Sequence, residues 1–172
     1  MSGVVRSTIV LLFALFVAPA MAQVVALGAS NTDGWGVGRA AAFPGQLERM
    51  LRADGYAVTV VNRGVSGDGT GQMLARLDIA TPPGTRLVLL DVGGGLFNNW
   101  RLDVERGQGP KDIAAIEADL TAKGVKFMEV HTNFDMPPEY LQADRLHLTP
   151  EGHQRLAARL LPAVERELGA RR

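Results

Sequence analysis

Residues 24–36 read VVALGASNTDGWG. Four apolar residues run straight into glycine, alanine and serine, the pattern of a buried strand that stops in a tight small-residue turn. Short apolar runs recur at Ala57–Val61, Leu87–Leu90 and Val125–Val130, each followed by a glycine-bearing or polar loop, with segments of helical period between them. Strands alternating with helices specify βαβ units on a mostly parallel sheet.

The helical segments carry their own punctuation. Phe43, Leu47, Met50 and Leu51 fall on one helical face, with Pro44 suited to the first turn and Gly55 to the exit. Met73, Leu74 and Leu77 predict a shorter helix after the second strand, and Ile113, Ile116 and Leu120 with Gly124 predict another after the third. Thr149-Pro150-Glu151 supplies an N-cap hydroxyl, a proline and an acid to a last helix striped by Leu156, Leu160, Leu161 and Val164. Pro162 is expected to kink or divide that helix. Gly93–Gly109 and His131–Arg145 read as irregular loops. Both follow strand ends, so they and the turn holding Ser30 are expected to converge at the carboxyl edge of the sheet, where open α/β sheets bind their ligands.

Composition narrows the class. The chain has 172 residues, 47% hydrophobic and 21% charged, as befits one globular domain. Arg6-Ser7 followed by TIVLLFALFVAPAMA has the charged start, short apolar middle and Ala20-Met21-Ala22 end of a secretory leader, which predicts a signal peptide over 1–22 and a single domain over 23–172. The uncharged run is short for a membrane span, so no stable anchor is expected after cleavage, and the expected location is periplasmic or secreted. Loss of Arg6 with the leader leaves 17 basic residues against 18 acidic ones and no footprint for nucleic acid, while the sequence sets no oligomeric state beyond a monomer as the default for such a domain. Cysteine is absent, which excludes disulfides, thiolate catalysis and cysteine-ligated zinc.

Ser30 by itself reads as a turn serine or helix cap, because an isolated hydroxyl is scarcely ionised and needs a base to attack anything. A candidate base lies at the far end of the chain. In Ala143-Asp-Arg-Leu-His147, Asp144 sits three residues before His147 and is suited to accept one ring N–H, fixing the tautomer. His153 reads as a residue of the amphipathic last helix, and His131 as a loop histidine at the end of the fourth strand. No tight metal-ligand spacing is present, and no metal is expected. Oxyanion donors are offered by the backbone of Asn62-Arg-Gly-Val-Ser-Gly-Asp68 and by Gly93-Gly94-Gly95, with the amides of Asn98 and Asn99 shortly after. Trp35 and Phe97 are candidates for lining an acyl pocket or for simple packing.

In this order and spacing the motifs resemble the GDSL/SGNH hydrolase family, particularly its compact exported lysophospholipase, thioesterase and arylesterase members, from Val24 to about Pro162. Gly28-Ala29-Ser30 resembles the family's G-D-S turn, with Ala29 in place of the usual Asp; NRGVSGD resembles its second block; and Asp144, His147 and Leu148–His153 resemble its final D-x-x-H and helix start. The resemblance implies a three-layer α/β/α sandwich with a flavodoxin-like, mostly parallel sheet. It implies Ser30 as nucleophile, His147 as acid/base, Asp144 as orienting acid, and an oxyanion hole from the N–H groups of Ser30 and Gly67. No cofactor is implied, and the substrate class is a small-molecule carboxylic ester or thioester.

The third block departs from the family. It normally reads G-G-N-D and supplies an Asn amide to the oxyanion, whereas here the aligned residues are Gly93-Gly94-Gly95-Leu96, placing Gly95 where the Asn belongs. Losing one such donor costs roughly 100- to 1000-fold in turnover. The expectation is therefore an esterase weakened at this point, with Asn98 or Asn99 as substitutes; the alternative is a non-catalytic member of the fold that retains a ligand crevice.

Overall fold

The computed structural model describes residues 22–132 and 135–170. The expected leader lies outside them except for Ala22. Four strands, β1 (Ala22–Gly28), β2 (Val58–Gly64), β3 (Thr85–Asp91) and β4 (Lys126–Val130), form one all-parallel sheet in the order β2-β1-β3-β4. Each apolar run became a strand, and β2 extends past its run through Asn62-Arg63-Gly64. The sequence reversal falls between β1 and β3, which puts the carboxyl ends of those two strands on either side of the crevice.

Among the described residues seven α-helices flank the sheet: α1 (Ser30–Asp33), α2 (Phe43–Ala53), α3 (Thr70–Ala75), α4 (Leu77–Ala80), α5 (Val92–Arg101), α6 (Gln108–Ala122) and α7 (Pro150–Leu168). Strand alternation sorts the core into two layers, because successive side chains leave opposite faces. Val24, Ala26, Val58, Val60, Leu87 and Leu89 meet α2 and α7, while Val25, Leu27, Val88 and Leu90 meet α3, α4 and α6. This is the three-layer sandwich. No helix among the described residues is long and apolar enough to cross a membrane. The open edge of β2 is covered by Arg39, whose guanidinium donates to the carbonyls of Asn62 and Gly64.

Three local expectations change. The helix after β2 is two short pieces meeting at Arg76, whose guanidinium donates to Asp68, to the Arg63 carbonyl and to the Gly28 carbonyl. Pro162 does not divide α7. It lies with Ala158 away from the buried Leu156–Leu160–Val164 stripe, where the carbonyl that loses its partner can be hydrated. The third change is the largest: Gly93–Gly109 is not an irregular loop, because Val92–Arg101 is helical. Glycine disfavours a helix by about 1 kcal/mol per residue, but Asp91 caps the end by accepting the Gly94 N–H, and close approach demands small residues there. A Cβ on Gly94 would come within 2.9 Å of the Ala29 Cβ.

His153 joins the two helices of one face. Its buried Nδ1 accepts the N–H of Phe43, one of the α2 first-turn donors that lack a partner within the helix. Burial is the main cause, and the charge of His147 the lesser one, that lowers its pKa from 6.5 to about 4. The folded state therefore holds His153 neutral where the unfolded chain would protonate it, so its contribution to stability falls as pH drops from 6.5 to 4, by about 3 kcal/mol in all. Asp91, raised by burial to about 6, acts in the opposite sense over the same range. The stability–pH curve of the protein minus that of His153→Gln, from urea midpoints, is expected to isolate the histidine's slope. A flat difference would refute it.

Candidate active site

Ser30 opens α1 directly after β1, with the buried Ala29 beneath it. His147 reaches it from the other end of the chain, its Nε2 2.9 Å from the Ser30 Oγ. On the far side of the ring, Nδ1 is 2.6 Å from the Asp144 Oδ2, and the other Asp144 oxygen accepts the backbone N–H groups of Leu146 and His147. The imidazole hydrogen bond first, and then those two backbone donors, hold Asp144 at a pKa of about 2. A carboxylate can only accept, so Nδ1 carries the proton and Nε2 presents its lone pair to the Ser30 hydroxyl. Trp35 lies over the imidazole, ring centroids 5.9 Å apart.

The loop carrying the histidine is fixed from below by Asn31, next to the serine. Its side-chain amide donates to the Leu146 carbonyl at 3.2 Å and its oxygen accepts the Leu148 N–H at 2.9 Å, bracketing His147 on both sides. The helix that begins at Ser30 thus also carries the clamp for the loop of His147. A second buried joint ties the strand ends: Asp91 at the end of β3 accepts Thr32 from α1, Thr132 after β4 and the Gly94 N–H of α5. Neither Asn31 nor Asp91 was singled out in the sequence; the one available signal was a polar residue immediately after Ser30.

Two lobes of about 210 Å³ each open on Ser30. One is lined by Trp35, Ser66, Gly67, Arg101 and His147, the other by Gly93, Gly94, Phe97 and Thr132; Asn98 and Leu146 border both. Gly67 takes φ +93°, and a Cβ there would meet nothing within 4 Å, so its backbone faces the opening. No described group accepts the N–H of Ser30 or of Gly67. His131 stays apart, half exposed beside Glu129, and the described residues contain no group of three potential metal ligands.

Residues 26–123, more than half of the chain, match the model of the GDSL-like lipase/acylhydrolase family. The chain belongs to that family. Among solved structures, TesA superposes with a TM-score of 0.74 at 19% identity, over 84% of this chain and 99% of that one. The psychrotrophic esterase EstA from Pseudoalteromonas sp. gives 0.72 at 14%, over 86% and 98%, and the acetyl xylan esterase AlAXEase gives 0.67 at 16%, over 83% and 100%. At these identities the likeness is one of fold. No curated protein matches by sequence.

For a GDSL-family chain the third block is the unusual part. Gly95, aligned with the family Asn, turns away from Ser30: a Cβ there would meet the Met73 Sδ at 2.9 Å and the Thr70 Cγ2 at 3.2 Å, between α5 and α3. Asn99 also faces α3, where its side chain accepts the Thr70 N–H and donates to the Thr70 hydroxyl. Neither lines either lobe of the crevice. Asn98 alone of the three borders the crevice; one N–H of its amide donates to the Asp68 carbonyl at 2.8 Å, beside Gly67, and the other has no acceptor among the described residues. Gly95→Asn is accordingly expected to give no gain in turnover and to destabilise the protein by about 1–3 kcal/mol through overpacking. Thermal denaturation and an esterase assay on the variant check both halves.

Proposed function

We propose that the protein is a serine esterase. The observation that carries this reading is the chain of contacts from Asp144 through His147 to Ser30, at 2.6 and 2.9 Å. His147 takes the Ser30 proton as Oγ attacks the ester carbonyl, and the oxyanion is held by the N–H groups of Ser30 and Gly67 and the amide of Asn98. The proton passes from His147 Nε2 to the departing oxygen, leaving an acyl-Ser30. Water, deprotonated by His147, then attacks the acyl carbon, releases the acid and restores the hydroxyl. Asp144 orients the ring and stabilises the imidazolium at each step. With residues 1–22 read as a cleaved leader, this chemistry takes place outside the cytoplasm.

The direct test is a fluorophosphonate probe followed by peptide mapping. A phosphonyl adduct on Ser30, lost in His147→Ala, is the expected result. Absence of labelling would replace the enzyme with a non-catalytic crevice protein, the reading that the glycine run of the third block favours.

A further inference from the structure

The two lobes beside Ser30 are distinguished by which one His147 lines. In ester cleavage the imidazolium must hand its proton to the departing oxygen, so the alcohol portion of the substrate has to lie on the His147 side. That is the lobe of Trp35, Ser66 and Arg101; the acyl portion is left with the lobe of Gly93, Gly94, Phe97 and Thr132.

The alcohol lobe has a distinctive electrostatic character. Arg101, in the last turn of α5, is the one permanently charged side chain lining it, and among the described residues no acceptor or carboxylate pairs with its guanidinium. Three of the acids nearest this lobe are engaged elsewhere: Asp33 accepts Arg39 and the Ser66 hydroxyl, Asp68 accepts Arg76, and Asp144 accepts His147. The lobe thus faces its ligand with a planar, five-donor cation, beside the flat apolar wall of Trp35. Such a fork suits a carboxylate or phosphate, which it can bind through two parallel hydrogen bonds.

We propose that this site selects esters whose alcohol portion bears an anionic group, held by Arg101. The inference rests on the esterase reading above and gives it a substrate class. Both anions share the chemistry, and a phosphate, carrying more charge than a carboxylate, is held more tightly.

The test compares kcat/KM for acetyl esters of three alcohols: 4-nitrophenol, 4-hydroxybenzoate and glycerol 3-phosphate. A 4-nitrophenyl monoester of a short dicarboxylic acid places the charge on the acyl side instead. In Arg101→Gln the ratio of anionic-alcohol to neutral ester is expected to fall about five- to tenfold, chiefly through KM, and Arg101→Lys to recover part of it. The ratio for the anionic-acyl ester should not move. An unchanged anionic-alcohol ratio overturns the proposal, and a fall confined to the anionic-acyl ester overturns the assignment of the lobes. Hydrolysis of every ester at parental rate by Ser30→Ala is the separate result that removes the esterase reading itself.

Discussion

Replacing Ser30 by alanine is expected to lower kcat for a short-chain nitrophenyl ester by about 10⁴- to 10⁶-fold, with KM little altered. The size follows from the way the three groups act as one device. Without the Oγ there is nothing for His147 to deprotonate, and water in its place lacks the fixed 2.9 Å approach to Nε2. His147→Ala should fall as far, and the double variant no further, because a hydroxyl without its base and a base without its hydroxyl are equally idle. The activity left over measures what the oxyanion donors achieve alone. Progress curves with the parent and both single variants check the prediction; parental turnover in Ser30→Ala would end it.

Asn98→Ala is expected to cost about 100- to 1000-fold in kcat, or roughly 3–4 kcal/mol of transition-state stabilisation. The amide lies at the border of both lobes and is steadied by the Asp68 carbonyl; on the esterase reading its second N–H is the donor that meets the charge developing in the transition state. Because that charge is absent from the bound ester, the loss belongs in kcat rather than KM. Asn99→Ala is the control. It removes the buried link to Thr70 and should lower the denaturation midpoint while leaving turnover far closer to parental. A variant of Asn98 that kept full turnover would mean that Ser30 and Gly67 suffice as donors, and that the third block has been dispensed with altogether.

The strands and most helices were legible because they rest on short-range pattern: apolar runs such as Leu87–Leu90, and stripes such as Phe43–Leu47–Leu51. Asp144 and His147 were legible as a local spacing. What escaped the sequence depends on contacts between distant segments. Three consecutive glycines argue against a helix until Asp91 caps them and Ala29 and Met73 press against them. Alignment placed the missing amide at Gly95, yet helix α5 turns that position toward Thr70 and brings Asn98, three residues on, to the crevice. Pro162 was overruled by the continuous buried stripe of α7. Asn31 gave no signal as a clamp, because its partners lie at residues 146 and 148.

That clamp bears on when the protein can become reactive. Ser30 and Asn31 leave the ribosome early, but the residues they grip are separated from them by 115 to 117 positions. Closing so long a loop is entropically costly and belongs to the slow, late part of folding. A nascent or truncated chain that ends before residue 147 therefore leaves the Ser30 hydroxyl without its imidazole partner, which arrives only when the carboxyl-terminal segment docks. Onset of fluorophosphonate reactivity during refolding is thus a clock for the last assembly step.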